Sequence, residues 1–130
     1  EQKIQELAEE YDIRQIAFDR WGAIQLTQDL EDVGFQVLGF GQGFASMNAP
    51  TKELLNLILS KRLHHGGHPV LRWMADNVVV KEDPAGNIKP DKSKSAEKID
   101  GIVATIMALD LAIRNQEGPS VYETRGILSF

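Results

Sequence analysis

The feature that most constrains this sequence is a long apolar segment over residues 96–115 that carries one aspartate near its start. The spacing of its apolar residues predicts a helix that is apolar on almost every side, as in a helix buried in a protein core. Asp100 heads the face that continues through Val103 and Met107. Because an unpaired buried carboxylate costs roughly several kcal/mol, Asp100 is expected to pair with a cation or to bind a metal ion.

A purely structural role for Asp100 is the alternative. The helix dipole favours a carboxylate in the first turn by about 0.3–1 kcal/mol, which is less than the cost of unpaired burial. The structural interpretation therefore requires Asp100 to be exposed or paired, for example with a lysine. Glu97 lies one turn earlier on the same predicted face. We favour a solvated charge that pairs with a lysine as the role of Glu97. The alternative is that Glu97 is an additional metal ligand or a catalytic base.

Length and composition limit the class of protein. The chain has 130 residues, 42% of them apolar, and no cysteine, which predicts one globular domain and excludes disulfides, thiolate zinc sites and a cysteine nucleophile. No apolar run approaches the ~20 residues of a membrane span and no signal peptide is visible, so a cytoplasmic protein is expected. The net charge of -5 argues against a general nucleic-acid binder. It leaves a nuclease open, because bound metal ions supply positive charge.

The first half of the sequence predicts a strand–helix–strand unit. Short apolar runs at residues 13–18 and 35–40 flank a helical pattern over residues 22–33, which Gly34 ends. A helix between two such strands implies parallel neighbours joined by a right-handed crossover. The other predicted elements are a helix over 51–62 opened by Pro50, a helix over 69–76, a strand over 78–80, a turn over 83–87 and a tail over 116–130.

Asp19 lies at the end of the first predicted strand and precedes the next predicted helix. A helix cap is the simplest role for an aspartate at such a junction. The alternative is that Asp19 and Asp100 converge on one pocket, where their oxygens suit Mg²⁺ or Mn²⁺. Two such ions, ~3.5–4 Å apart, activate a water and stabilise the leaving oxygen of a phosphodiester. The two acids are therefore candidate catalytic residues and metal ligands.

Basic and histidine side chains are candidates for contacts to DNA. Lysines cluster just before Asp100, at Lys92, Lys94 and Lys98. They form either a solvated loop or a set of contacts to the DNA backbone. Three histidines stand around a Gly-Gly turn, at His64, His65 and His68. Because a turn does not place them on one helical face, a phosphate contact through His65, or ordinary loop chemistry, is favoured over a zinc site.

Five short motifs occur in order along the chain. They are Ala-Phe-Asp-Arg-Trp at 17–21, Gln-Gly-Phe at 42–44, His-Gly-Gly-His-Pro-Val-Leu-Arg-Trp at 65–73, Asn-Val-Val-Val at 77–80 and Lys-Ile-Asp-Gly-Ile-Val-Ala at 98–104. Together they resemble the C-terminal nuclease part of the large terminase subunit of tailed bacteriophages and prophages. The resemblance covers about residues 11–114, and the ordered set is more specific than any single motif.

The resemblance implies an α/β chain with a ribonuclease H-like nuclease fold, of which residues 1–115 form the C-terminal half, helix-rich with a small mixed sheet. It implies a metal-dependent endonuclease that uses acids around two divalent ions, Mg²⁺ or Mn²⁺, to cut double-stranded concatemeric DNA during genome packaging. In this family pattern Asp19 matches the acid at the end of the fourth strand, and Asp100 matches the acid on the C-terminal helix. The implied partners are DNA, the terminase ATPase domain, the small terminase subunit and the portal, in the cytoplasm of the bacterial host.

One part of the family pattern has no counterpart in the sequence. The first strand of the fold, with its catalytic aspartate, would lie beside the strand that ends at Asp19, so the edge at residues 13–18 is expected to be open. An open apolar edge pairs readily with another chain, which predicts a homo-oligomer. With one acid fewer, the isolated chain is expected to bind metal weakly and to have little or no activity. The alternative function is a non-catalytic module that docks the portal or the small terminase subunit.

Overall fold

The computed structural model of the chain describes residues 1–21 and 24–116. The predicted tail over 116–130 therefore lies outside the described residues except for Gln116, which is the last residue of the final helix. The elements in chain order are α1 (Gln2–Glu10), β1 (Ile16–Asp19), α2 (Ile24–Asp32), β2 (Val37–Phe40), α3 (Phe44–Leu59), α4 (Pro69–Asn77), β3 (Val80–Glu82), β4 (Ile88–Pro90) and α5 (Asp100–Gln116). Within these residues, no helix combines the length and the hydrophobicity that a membrane span requires.

The predicted strand–helix–strand unit is confirmed. β1 and β2 pair in parallel, with Asp19 opposite Phe40 at their C-terminal ends, and α2 lies between them in the chain. Gly34 ends α2 as predicted, because its φ of 96° is a left-handed conformation that glycine adopts without steric cost. The N–H of Phe35 donates to the carbonyl oxygen of Leu30 at 3.0 Å, which closes a Schellman turn after the helix.

The prediction of one small mixed sheet is wrong for the described residues. β1 and β2 form a parallel pair, and β3 and β4 form a separate antiparallel pair. The hairpin lies apart from the parallel pair, and its strand β4 packs against α3. The turn between β3 and β4 is confirmed, since Oδ1 of Asp83 accepts the N–H groups of Ala85 and Asn87 at 3.0 and 2.8 Å.

The helix α5 is the central element of the core, as its apolar pattern predicted. It packs against β1, α3 and α4, and Ile106 in its middle is only 1% exposed. The core cluster combines apolar side chains of β2, α3, α5 and the residue just before α5: Phe40, Met47, Leu54, Ile99, Ile102, Val103, Ile106 and Met107. Burying one large side chain of this kind contributes about 1.5–3 kcal/mol, so this cluster fixes the position of α5.

Two helix boundaries differ from the predictions. Pro50 does not open α3, which begins earlier, at Phe44. An interior proline costs about 3 kcal/mol, but the added turns bury Met47 and Pro50 itself almost completely. The other boundary is that of α5, which begins later than predicted, at Asp100. Glu97 therefore precedes the helix, and its predicted place on the same helical face as Asp100 is wrong.

Asp91 organises the loop that leads into α5. The residue is 6% exposed, and its Oδ1 accepts the N–H and the hydroxyl of Ser93 at 2.9 and 2.5 Å. These bonds hold the pKa of Asp91 below its ordinary value near 3.8, although burial acts in the opposite direction. The carbonyl oxygen of Asp91 also accepts the hydroxyl of Ser95 at 2.7 Å. The segment that carries Lys92 is thereby tied to a buried anchor.

We predict that this anchor weakens in acid. A depressed folded-state pKa stabilises the folded protein above the unfolded pKa, and that stabilisation is lost as the pH falls through the lower, folded pKa. Because Ser93 supplies the largest effect on Asp91, Ser93→Ala should raise the midpoint of the Asp91 titration toward 3.8. This midpoint is measured from the carboxyl ¹³C chemical shift of Asp91, followed by NMR from about pH 5 downward. Equal midpoints in the wild type and the variant would contradict the assignment.

One edge of β1 has no strand partner among the described residues. The N–H of Ile16 donates to the carbonyl oxygen of Gln36 at 2.9 Å. Alternate residues of a parallel strand direct their amide groups to the same side, so Ala17 directs its N–H and C=O away from β2. Unpaired edge groups of this kind accept an added strand.

We predict that two copies of the chain associate through residues 13–18. Light scattering at high protein concentration should give a mass above that of the monomer. Ala17→Pro removes an outward-facing N–H and leaves the bonds to β2 in place, so this variant should shift the chain toward monomer with unchanged circular dichroism. A wild-type chain that stays monomeric at every concentration tested would refute the association.

Candidate active site

A groove runs between the open edge of β1 and α5. Its volume is about 880 Å³ and its walls are mostly apolar. The two walls run in opposite directions, because the side-chain amide of Asn115, late in α5, donates to the side chain of Gln15 at 2.6 Å, just before β1. The end of β1 and the start of α5 therefore both lie away from this contact. Asp19 and Asp100 both line the groove.

Asp100 is exposed, and the prediction that it points into the core is wrong. Its side chain is 67% exposed, and its Oδ1 forms an ion pair with Nζ of Lys92 at 3.2 Å. The reason is its place at the first residue of α5, where the helix leaves the core, whereas Val103 and Met107 further along the same face are buried. An ion pair this exposed contributes at most about 1 kcal/mol. Asp100 is thus held only weakly and is accessible from the groove.

Asp19 is half-buried at the end of β1. Its Oδ1 accepts the backbone N–H of Trp21 at 3.3 Å, a bond typical of an aspartate that closes a turn or caps a helix. The contacts expected if both acids were purely structural are therefore present: a turn bond at Asp19 and an ion pair with a lysine at Asp100. Neither role accounts for the presence of both carboxylates on one groove.

The oxygen atoms that line the groove are of the type that binds a divalent cation, but they are too few for a complete site. Carboxylate oxygens are the preferred ligands of Mg²⁺ and Mn²⁺, and Gln42 brings an amide group to the same groove. Asp12 also lines the groove but is paired with Arg14 at 2.6 Å, and it is separated from Asp19 by a stretch of chain that spans at most ~23 Å. Among the described residues, no group of three or more histidines and acids is placed to hold a metal ion. Two ions would need further oxygen ligands.

The candidate lysines lie close to Asp100. Lys92 and Lys98 border a surface pocket of about 300 Å³ that Asp100 also lines, and Lys94 is exposed on the same loop. Lys92 additionally lines the main groove. Contacts from these lysines to DNA stay a prediction, with Lys92 the best placed of the three.

His65 lies away from the two acids. It borders a different groove, to which α5 contributes Ile102 and Thr105, and these residues are on the opposite side of the helix from Asp100. The Nδ1 of His65 accepts the N–H of Gly67 at 3.2 Å, an ordinary turn contact. A phosphate contact through His65 stays a prediction, and it would involve a surface separate from the acid groove.

A second, cationic pocket lies beside the main groove and was not predicted from the sequence. Gln42, which follows β2, lines both the main groove and a neighbouring pocket of about 260 Å³ that also includes Lys81, Lys89 and Lys92. The register of the hairpin could have revealed the pocket, because β3 and β4 place Lys81 directly opposite Lys89. That pairing was missed because the predicted strand ended at residue 80.

Comparison with known proteins identifies the family of this chain. The family described as "Terminase large subunit, endonuclease domain" matches residues 1–116. The chain is 42% identical over 111 residues to the terminase large subunit of Enterobacteria phage HK97, an alignment that covers 84% of this chain and 22% of that protein. It is 40% identical over 97 residues to protein YmfN of Escherichia coli (strain K12), covering 73% of this chain and 21% of that protein.

The fold agrees with the sequence relatives. The crystal structure of the HK97 bacteriophage large terminase matches with a TM-score of 0.76 and 41% identity, over 84% of this chain and 23% of that chain. The chain spans about a fifth of the length of these relatives. The resemblance drawn from the five motifs is confirmed, and the chain belongs to the family of terminase large subunit endonuclease domains.

Proposed function

We propose that the chain is the metal-dependent endonuclease part of a phage DNA-packaging terminase, with the ribonuclease H-like arrangement that its resemblance implies. It would hydrolyse phosphodiester bonds of double-stranded concatemeric DNA. The observation that carries the proposal is that Asp19 and Asp100, 81 positions apart in the numbering (100 − 19), line one groove. Family membership supports the same chemistry.

In this proposal Asp19 and Asp100 hold Mg²⁺ or Mn²⁺. Bound divalent ions would supply positive charge at the scissile phosphate and lower the pKa of the attacking water. Lys92, beside Asp100, would donate to a phosphate oxygen once DNA enters the groove. The two carboxylates are too few ligands for two ions, so water and phosphate oxygens would have to supply further ligands.

The proposed partners follow from the same reasoning. Double-stranded DNA is the substrate, and the terminase ATPase domain, the small terminase subunit and the portal are the proposed partners within the packaging system. A non-catalytic docking module is the second candidate function. The turn bond at Asp19 and the ion pair at Asp100 favour it, because both are contacts that purely structural acids make.

A Mn²⁺ titration separates the two candidates. At a free Mn²⁺ concentration about tenfold above Kd, binding to the folded chain adds about 1.4 kcal/mol, which raises the Tm of a domain of this size by roughly 5 °C. We expect Asp19→Asn and Asp100→Asn to lose this Mn²⁺-dependent rise. Asp76→Asn, an exposed carboxylate on α4, is the matched control and should keep it. A rise that persists in both groove variants would place the metal elsewhere.

A cleavage assay tests the catalytic role directly. With Asp100→Asn, several kcal/mol of transition-state stabilisation from bound metal is lost, so cleavage of duplex DNA by a longer protein that contains this chain should fall on the order of a hundredfold or more. Circular dichroism should show the fold retained, because the Lys92 ion pair is exposed. An unchanged cleavage rate would eliminate Asp100 as a catalytic residue.

A further inference from the structure

The hairpin of β3 and β4 places two lysines directly opposite each other. Lys81 and Lys89 are partners in the antiparallel register, and like charges at such positions destabilise a strand pair. Within the described part of the chain, neither lysine forms an ion pair with a carboxylate. Within the described residues, the repulsion between the two lysines is therefore not relieved by a direct ion pair.

Both ammonium groups are held over the same aromatic ring. The Nζ atoms of Lys81 and Lys89 lie 5.6 and 5.1 Å from the centre of the Phe44 ring, and Nζ of Lys89 donates to the carbonyl oxygen of Gln42 at 3.2 Å. Phe44 is the first residue of α3, and no side chain caps this helix start. Its positive dipole end therefore adds to the charge of the lysines.

The acid among the lining residues does not cancel this charge by direct contact. Asp91 lines the same pocket, but its Oδ1 accepts both hydrogen bonds from Ser93. Its proximity to Lys81 acts through space and lowers the pKa of Asp91. The pocket is thus lined by three lysines and by one acid that is bonded to Ser93. This excess of positive charge fits a phosphate group.

This pocket adjoins the groove of the two acids. Gln42, Lys92 and Val103 line both spaces, so one strand of DNA could occupy the two in succession. The pocket volume of about 260 Å³ suits a backbone phosphate and not a stacked base pair. A phosphate held here would fix how far the strand advances past Asp19 and Asp100.

We propose that Lys81 and Lys89, with Gln42 and Lys92, bind a non-scissile phosphate of the DNA strand whose scissile phosphate lies between Asp19 and Asp100. This inference rests on the proposed nuclease function and adds a positioning site to it. Phe44 restricts the two ammonium groups to one place, so that less side-chain freedom is lost when the phosphate binds.

Salt-dependent DNA binding tests this site. Affinity of the whole chain for a short duplex is measured by fluorescence anisotropy over a series of NaCl concentrations, without divalent ions. Each phosphate contact contributes about 0.9 to the slope of log K against log salt. The double variant Lys81→Gln/Lys89→Gln should lower this slope by about 1–2 and weaken binding at low salt by about tenfold. Lys81→Arg/Lys89→Arg should restore both values.

The control removes two exposed lysines elsewhere. Lys3 lies on α1 and Lys61 follows α3, so Lys3→Gln/Lys61→Gln makes the same change in net charge and should leave the slope near that of the wild type. The proposal is overturned if the two double variants have equal slopes, or if the wild-type chain shows no measurable binding to the duplex.

A second measurement does not depend on the folding of a variant. Side-chain NMR signals of Lys81 and Lys89 in the wild type should shift on addition of duplex DNA, and those of Lys3 and Lys61 should not. The opposite pattern would overturn the proposal. Neither experiment requires metal or cleavage. A lower salt slope in Lys81→Gln/Lys89→Gln, without a Mn²⁺-dependent rise in Tm that requires Asp100, would reject the nuclease chemistry alone. A Mn²⁺-dependent rise that requires Asp100, with an unchanged salt slope, would reject only this phosphate site.

Discussion

The structure depends on the burial of one helix, α5. Its inner face supplies half of the core cluster, and its two ends are fixed by different contacts: Ile99 is buried just before the helix, and Asn115 is bonded to Gln15 near its end. Because the helix is rigid, fixing its axis in the core also fixes where its first residue emerges. Asp100 reaches the groove as a consequence of apolar packing, and no strong polar contact is needed to hold it there.

The parallel pair of β1 and β2 supplies the other half of the site. Parallel strands end at the same edge of a sheet, so Asp19 and the Gln42 segment arrive together. The antiparallel hairpin then places lysines next to Gln42. Acids and lysines thus occupy adjacent spaces on a chain whose net charge is -5, and the overall charge says little about the local potential at the groove.

Local chemistry in the sequence predicted several elements correctly. Gly34 marked the end of α2 because glycine adopts its backbone angles without strain. The turn at 83–87 was predicted from its turn-forming residue types, and the structure shows the side-chain bonds of Asp83 that close it. Errors arose where tertiary packing outweighed a local preference. Pro50 lies inside α3 because burying Met47 offsets the lost backbone bond, and Asp100 is exposed because it lies where the helix leaves the core, a place that periodicity does not define.

The sequence by itself determined the apolar helix, the strand–helix–strand unit, the ordered motifs of the family and the identity of the two candidate acids, since these depend on residues near one another in the chain. Only the tertiary structure decided that Asp19 and Asp100 line one groove, that Lys92 pairs with Asp100, and that His65 lies on the far side of α5. These are relations between segments distant in the chain. They depend on the direction in which the helix crosses the strands, and core packing sets that direction.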